Sequence, residues 1–297
     1  MKHYKYLLIF LFAASGCSEE ITIDFGDFKP EIVVNCMFTG SEYFNVEVIK
    51  TWEEGDTTSH IISNAVVTIC ALKSNENYKL PYVSEGFYAD TTFYPIEGER
   101  YKIEVNVPGY KTVSAIDSLP ALPSINNIVL VRTDINKDSE GYYKVHNINL
   151  SLCDPSGEKN FYQLQSYYRN PNKYPDENLF SGSQMSSNEP FIVNEGTEQY
   201  VSGEVIFSDE MIDGQTVDFT CNVSCPTIDE VPLLFDVYVV AISQSYYEYQ
   251  KIFFRYSAAT PDVFFPVEPV MMPTNIVNGY GIFAGYSLLK FRLTQSN

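Results

Sequence analysis

The chain has 297 residues, with 38 acidic against 19 basic side chains, a formal charge of −19, and 23 tyrosines and 20 phenylalanines but only 3 histidines. At roughly 150 residues per domain this length implies one large or two ordinary domains, and a hydrophobic fraction of 45% excludes a disordered chain. The negative charge excludes nucleic acid as a partner and a basic patch as the attachment to anionic lipid, and three histidines leave little for a zinc or copper centre.

In chain order, a short basic start (Lys2, Lys5) precedes the apolar run Tyr6 to Ala14 and then Ser15-Gly16-Cys17. The run is far below the roughly 20 residues that a bilayer-spanning helix needs. An ordinary secretory leader has this form. The segment Ala14-Ser15-Gly16-Cys17 also resembles a bacterial lipobox, in which signal peptidase II cuts before a cysteine whose thiol takes a diacylglycerol group. This predicts a signal peptide over 1–16, a lipidated tether over 17–26, and Cys17 as the attachment point to outer-membrane lipid. Several acyl chains on one cysteine, at about 0.8 kcal/mol per buried CH2, hold without help from charge. Ser18-Glu19-Glu20 resembles the export signal that sends Bacteroidota lipoproteins to the cell surface; a solvated acidic tether is the other reading.

From Glu31 the sequence turns to short strand-like runs: Glu31–Phe38, Tyr43–Lys50, Ala65–Cys70 and Glu99–Val107. The last alternates cleanly, with Tyr101, Ile103, Val105 and Val107 on one face and Arg100, Lys102, Glu104 and Asn106 on the other, as a half-buried antiparallel strand requires. Strands at about ten-residue spacing with turn signals predict an immunoglobulin-like β-sandwich over 27–118. Leu119-Pro120-Ala121-Leu122-Pro123 reads as an extended linker over 119–124, since two prolines exclude both helix and ladder. A larger antiparallel β domain is expected over 125–297, with strands at Ile125–Arg132, Tyr142–Cys153, Phe161–Tyr168, Gln199–Phe207, Gln215–Asn222 and Phe235–Ile242 and a long polar loop over 169–198. One helix is predicted near 245–259, capped by Ser245 with Glu248 three residues on, and with Tyr246, Tyr249, Phe253 and Tyr256 as its core stripe. The fold class is therefore mainly β.

Of the six cysteines, acylation of Cys17 leaves five. Cys221 and Cys225 are the candidate disulfide, a small loop in an exported protein, with two reduced thiols as the alternative. Cys36, Cys70 and Cys153 have no pairing that spacing can assign; Cys36 and Cys70 could bridge or simply pack as small apolar groups. Asp134 to Glu140 has alternate oxygen ligands as calcium loops do, but Ser139 stands where glycine is needed and Val145 where glutamate is, so it reads as a solvated hairpin loop. Gly279-Tyr280-Gly281 to Gly285 lacks the spacing and the βαβ context of a dinucleotide loop and reads as a close-packed terminal strand. The sequence shows no catalytic motif, metal-ligand set or cofactor site. Asp56-Thr57-Thr58, Asp90-Thr91-Thr92 and Asp117-Ser118-Leu119 resemble the O-glycosylation sequon of Bacteroidota, making Thr57, Thr91 and Ser118 candidate acceptors.

Several segments together resemble a Bacteroidota lipoprotein family known as domain of unknown function 4249. They are the lipobox cysteine Cys17, Glu31–Phe38, Asn64–Ile69, Gly86-Phe87-Tyr88, Gly98–Val105 with Pro108-Gly109-Tyr110, Asp154-Pro155-Ser156-Gly157, Asn160-Phe161-Tyr162, Phe207–Glu210 with Asp213-Gly214, Tyr246–Tyr249 and Asn275–Phe283. Members resemble companions of TonB-dependent outer-membrane receptors. The resemblance implies a non-enzymatic accessory or ligand-binding lipoprotein at the cell surface, with a TonB-dependent receptor as partner and a small molecule, glycan or peptide as ligand. It supplies no catalytic residue. A surface hydrolase using a carboxylate pair, and a structural or adhesive surface protein, are the competing expectations.

Overall fold

The computed structural model describes residues 28–53, 55–137, 142–169, 181–193, 204–226, 234–258 and 271–294. The expected signal peptide and tether, with Cys17, Ser18, Glu19 and Glu20, lie outside the described residues. So do residues 138–140 of the Asp134–Glu140 segment, expected as a solvated hairpin loop, whereas 134–137 belong to a strand.

The N-terminal region holds β1 (Ile32–Phe38), β2 (Asn45–Lys50), β3 (Val66–Ala71), β4 (Glu76–Leu80), β5 (Tyr82–Ser84), β6 (Phe87–Ala89), β7 (Arg100–Asn106) and β8 (Val113–Ser118). The alternation in β7 puts Tyr101, Ile103 and Val105 wholly inside, and β1 buries Ile32, Val34, Cys36 and Phe38 by the same period-two rule. One sheet runs β4-β3-β7-β8; β1, β2, β6 and β5 belong to the other. Between them lies a core dominated by rings. Phe44 sits 5.0 Å from Phe38, Phe93 and Tyr101, and Phe38 sits 4.8 Å from Phe283. These centroid separations are those at which aromatic pairs attract beyond simple burial.

The C-terminal region holds β9 (Ser124–Lys137), β10 (Tyr142–Cys153), β11 (Phe161–Arg169), β12 (Ser181–Gly182), β13 (Gln184–Ser186), α1 (Pro190–Val193), β14 (Glu204–Ser208), β15 (Thr216–Pro226), β16 (Leu234–Ile242), α2 (Gln244–Ala258) and β17 (Tyr280–Thr294). The sheet β13-β15-β10-β9 faces β12-β11-β16-β17, with β14 also on β11. Ile148, Leu150 and Leu152 of β10 meet Phe207, Phe219, Val223 and Val239 in a second core.

The molecule is mainly β, as expected, but three details differ. First, the two regions share a sheet. Residues Tyr280–Gly285 of β17 pair in parallel with Val33–Phe38, while Tyr286–Thr294 pair antiparallel with β16. One strand therefore serves both sandwiches, and Phe283 completes the N-terminal core. Glycine is required where β17 presses on its neighbours: a Cβ on Gly281, whose φ is 104°, would clash with the Val34 carbonyl, and one on Gly285 with the Ser118 carbonyl. The 119–124 segment is not a free linker either, because Leu119 is buried, exchanging backbone bonds with Gly98 and Glu99, and the Ser287 hydroxyl donates to the Pro120 carbonyl at 2.6 Å.

Second, the polar stretch 169–198 is not all loop. It supplies β12, β13 and α1, whose Phe191 and Ile192 are buried. A strand of two or three residues is too short for periodicity to reveal. Third, the cap of α2 is Ser243, not Ser245: the Ser243 hydroxyl accepts from Tyr246 N–H at 3.3 Å, and Glu248 is held by Gln244 at 2.7 Å. The buried stripe is correspondingly Tyr246, Tyr247 and Phe254, packed on Phe161, Val240 and Ile282, while Phe253 and Tyr256 are exposed.

Candidate functional site: the cleft between the sandwiches

Where the two sandwiches meet, a cleft of about 1010 Å³ opens. The Leu119–Ser124 segment forms one side, the end of β8 and Arg100 of β7 another, and the β10–β11 turn with the start of α2 the rest. The second and third sides are held by two clusters of hydrogen bonds.

The first cluster centres on Asp117. Its Oδ2 accepts the Ser243 hydroxyl at 2.9 Å and its Oδ1 the Ser118 N–H at 2.6 Å, joining β8 to the residue that caps α2 across 126 positions of chain. Burial pushes the Asp117 carboxyl up to about 6, against these bonds, a further one to Ser245 and the nearby Arg100 charge. Asn275 completes the join. Its amide donates to Ser245 Oγ at 3.1 Å and to the Phe283 carbonyl at 2.7 Å, and its oxygen accepts Phe283 N–H at 3.0 Å.

The second cluster fixes the β10–β11 turn. Asp154 accepts the Tyr162 hydroxyl at 2.6 Å and Gly214 N–H at 2.9 Å; Asp209 accepts Asn160 N–H at 2.6 Å; Asp213 accepts Gly157 N–H at 3.0 Å. Burial raises the Asp209 carboxyl above the ordinary carboxylate range, outweighing the Asn160 bond, with Asp154 adding to the rise. Burial and the Asp154 bond keep the Tyr162 phenol protonated. Asp154, Asp209 and Asp213 bring one oxygen each within 4.8 Å of the others, the spacing of a shared cation. Their carboxylates, however, accept from backbone N–H groups across two turns and from the Tyr162 hydroxyl, which is the work of a structural staple.

The family profile described as Domain of unknown function (DUF4249) matches residues 18–292. The chain belongs to that family. No curated protein matches the chain. Several of the segments that carry the DUF4249 resemblance are neighbours in space. Asp154–Gly157, Asn160–Tyr162, Asp209 and Asp213-Gly214 build the turn staple, and Asn275 and Phe283 the seam. Pro155, Asn160, Phe161, Tyr162 and Glu248 line the cleft.

The other expected site residues are placed as follows. Cys221 and Cys225 do not form a disulfide. Both thiols are free and buried on β15, and residues four apart on one strand are about 13 Å apart, twice the reach of a disulfide. Burial pushes both up to about 12, so they are inert core thiols. Cys36 faces the N-terminal core while Cys70 lies on the outward side of β3 and Cys153 is half-buried; all three are free. Thr57 and Thr91 are exposed, each preceded by an aspartate that accepts the backbone N–H of the following threonine, at 2.8 Å for Thr58 and 2.9 Å for Thr92. Ser118 is different: it is half-buried in β8 and paired with Arg100, so its backbone is committed to a ladder. His146 is buried in the C-terminal core with its Nδ1 2.9 Å from Thr133 Oγ1, and His60 stacks on Trp52 at 4.4 Å. Among the described residues no helix is long and apolar enough to cross a membrane.

The cleft and the role of Asp117 were not legible in the sequence. Arg100 read only as a member of a polar strand face, and Asp117 only as part of a glycosylation sequon.

Proposed function

We propose that this chain is a non-enzymatic, surface-exposed outer-membrane lipoprotein that captures a ligand in the cleft between its sandwiches and works beside a TonB-dependent nutrient receptor. The cleft is the observation that carries the binding role. It has the volume of a small-molecule site, and it sets a few polar groups (Arg100, Lys159, Asp117) among apolar ones such as Ile116 and Phe161. The anchoring rests on Ala14-Ser15-Gly16-Cys17, the surface address on Ser18-Glu19-Glu20, and the receptor partnership on the family resemblance. The ligand class is a small molecule, glycan or peptide. Affinity purification of the intact lipoprotein from membranes tests the proposal: a TonB-dependent receptor is expected to co-purify, and a lipoprotein that comes out alone contradicts it.

A second reading, a surface hydrolase on glycan or peptide, is favoured by one observation. Asp117, pushed up to about 6, lines the cleft together with Glu158 and Glu248, and a carboxyl in that range suits a general acid near neutral pH. It predicts that Asp117→Asn abolishes turnover of a cleft-bound glycan or peptide. Absence of turnover in the wild type removes this reading and leaves the first.

A further inference from the structure

β9 is 14 residues long and, among the described residues, forms the edge of the sheet β13-β15-β10-β9, pairing with β10 along one side only. A long edge strand presents a row of backbone N–H and C=O groups to any second strand. This one also carries exposed apolar side chains, Val131 at 57% and Ile135 at 64%. Between and around them the sequence reads Val131-Arg132-Thr133-Asp134-Ile135, which is self-complementary about Thr133.

We infer that two copies of this chain meet here, β9 pairing antiparallel with β9 of the second copy about a two-fold axis through Thr133. In such a pairing, residues equally far on either side of the axis face each other. Arg132 of each copy then faces Asp134 of the other, and Val131 faces Ile135. Opposite charges placed directly across a strand pair favour the pairing, and like charges oppose it. The charges also choose the register. Moving the axis to Asp134 sets the two Asp134 side chains against each other, and moving it to Arg132 does the same for arginine.

Three further features agree. Within one copy Arg132 Nη2 lies 2.7 Å from Asp134 Oδ2, so both groups already stand on the same side of β9, with the Arg132 side chain well exposed. The strand carries Arg132 and Lys137 against Asp134, so it is not part of the negative surface that would keep two copies of a −19 chain apart. β9 slips against β10 at Val131, but Arg132–Lys137 run in regular register with Asn147–Tyr142, so the axis falls on an undistorted part of the ladder. The result is an isologous dimer in which two four-stranded sheets become one of eight.

Sedimentation velocity on the full-length lipoprotein in detergent tests this, with circular dichroism to confirm folding. The wild type is expected as a dimer. Arg132→Asp and Asp134→Arg each place like charges across the axis and are expected to weaken self-association about tenfold or more. An equimolar mixture of these two variants puts opposite charges back in register and is expected to yield a 1:1 heterodimer. A monomeric wild type, single variants that remain as dimeric as the wild type, or a mixture that fails to associate would each overturn the inference.

Discussion

The two sandwiches reach stability by different means. The N-terminal core is a cluster of rings and branched aliphatics in which the buried polar side chains are Thr39 and Glu99. The C-terminal sandwich and its turns bury His146, Asp154, Gln163, Asp209 and Asp236. Apolar packing is indifferent to pH, whereas each buried ionisable group is a proton-linked contribution. The lesson is that one half of the molecule is built as a support, and the other, which surrounds most of the cleft, carries groups whose charge must be kept satisfied.

The largest expected effect comes from breaking the shared strand. Phe283→Ala removes a fully buried ring between Phe38 and Phe44 and is expected to cost about 3–5 kcal/mol, read as a lowered urea midpoint. Because Phe283 belongs to the N-terminal core but to a C-terminal strand, a single unfolding transition should shift as one. A split into two transitions would show that β17 does not couple the halves.

Next is the ion cluster on β16 and β17. Asp236 is buried and meets Lys290 at 2.8 Å and Arg292 at 2.9 Å. Burial would raise its carboxyl, but the Arg292 and Lys290 bonds prevail and hold it below the ordinary range. Asp236→Ala leaves two half-exposed cations rather than a buried one, so the loss should be about 2 kcal/mol, below the range for breaking a fully buried pair. Thermal melts of the variant at low and high salt measure it.

Acid should separate the halves. Burial, with Lys144 nearby, lowers His146 to about 4. A histidine depressed in the fold contributes stability that is full above its ordinary value near 6.5 and is lost as pH falls through about 4. Asp117 has the opposite sign: raised to about 6, it contributes stability below its ordinary 3.8 that is lost as pH rises through 6. Between pH 7 and pH 4, hydrogen-exchange protection, taken relative to the intrinsic rate at each pH, should therefore fall in β10 and β15 and rise at the Asp117–Ser243 seam, with β3 and β7 unchanged. Uniform change across all three would contradict the contrast.

The smallest effect is at the cap. Ser243→Ala removes the side chain that both caps α2 and bonds Asp117, for about 1 kcal/mol. Exchange should rise in the first turn of α2 before the melting temperature moves.

Local chemistry was readable and long-range pairing was not. The period-two pattern in β7 and the run of β1 located both strands to within a residue, and the apolar run after Gly279 marked a close-packed strand. Nothing in Val33–Phe38 says that its partner is Tyr280–Gly285, because a parallel partner can come from any distance in the chain. The same is true of the cleft. Asp154, Asp209 and Asp213 each lie in a segment of the family resemblance, but only folding brings them together, and Asp117 acquires its role from a serine 126 positions away. Helix α2 was found with its cap shifted by two residues, because Ser243 and Ser245 offer the same capping chemistry and tertiary packing chooses between them.

The central claim is that the cleft between the sandwiches holds a ligand. Native mass spectrometry of the intact protein purified from its native cells tests it most directly, comparing wild type with Leu122→Trp. Leu122 lines the cleft and is 44% exposed, so a larger side chain there fills space without disturbing either core. The wild type is expected to carry a bound small molecule, glycan or peptide, and the folded variant to have lost it. A wild type that carries nothing, or a variant that carries the same ligand to the same extent, would contradict it.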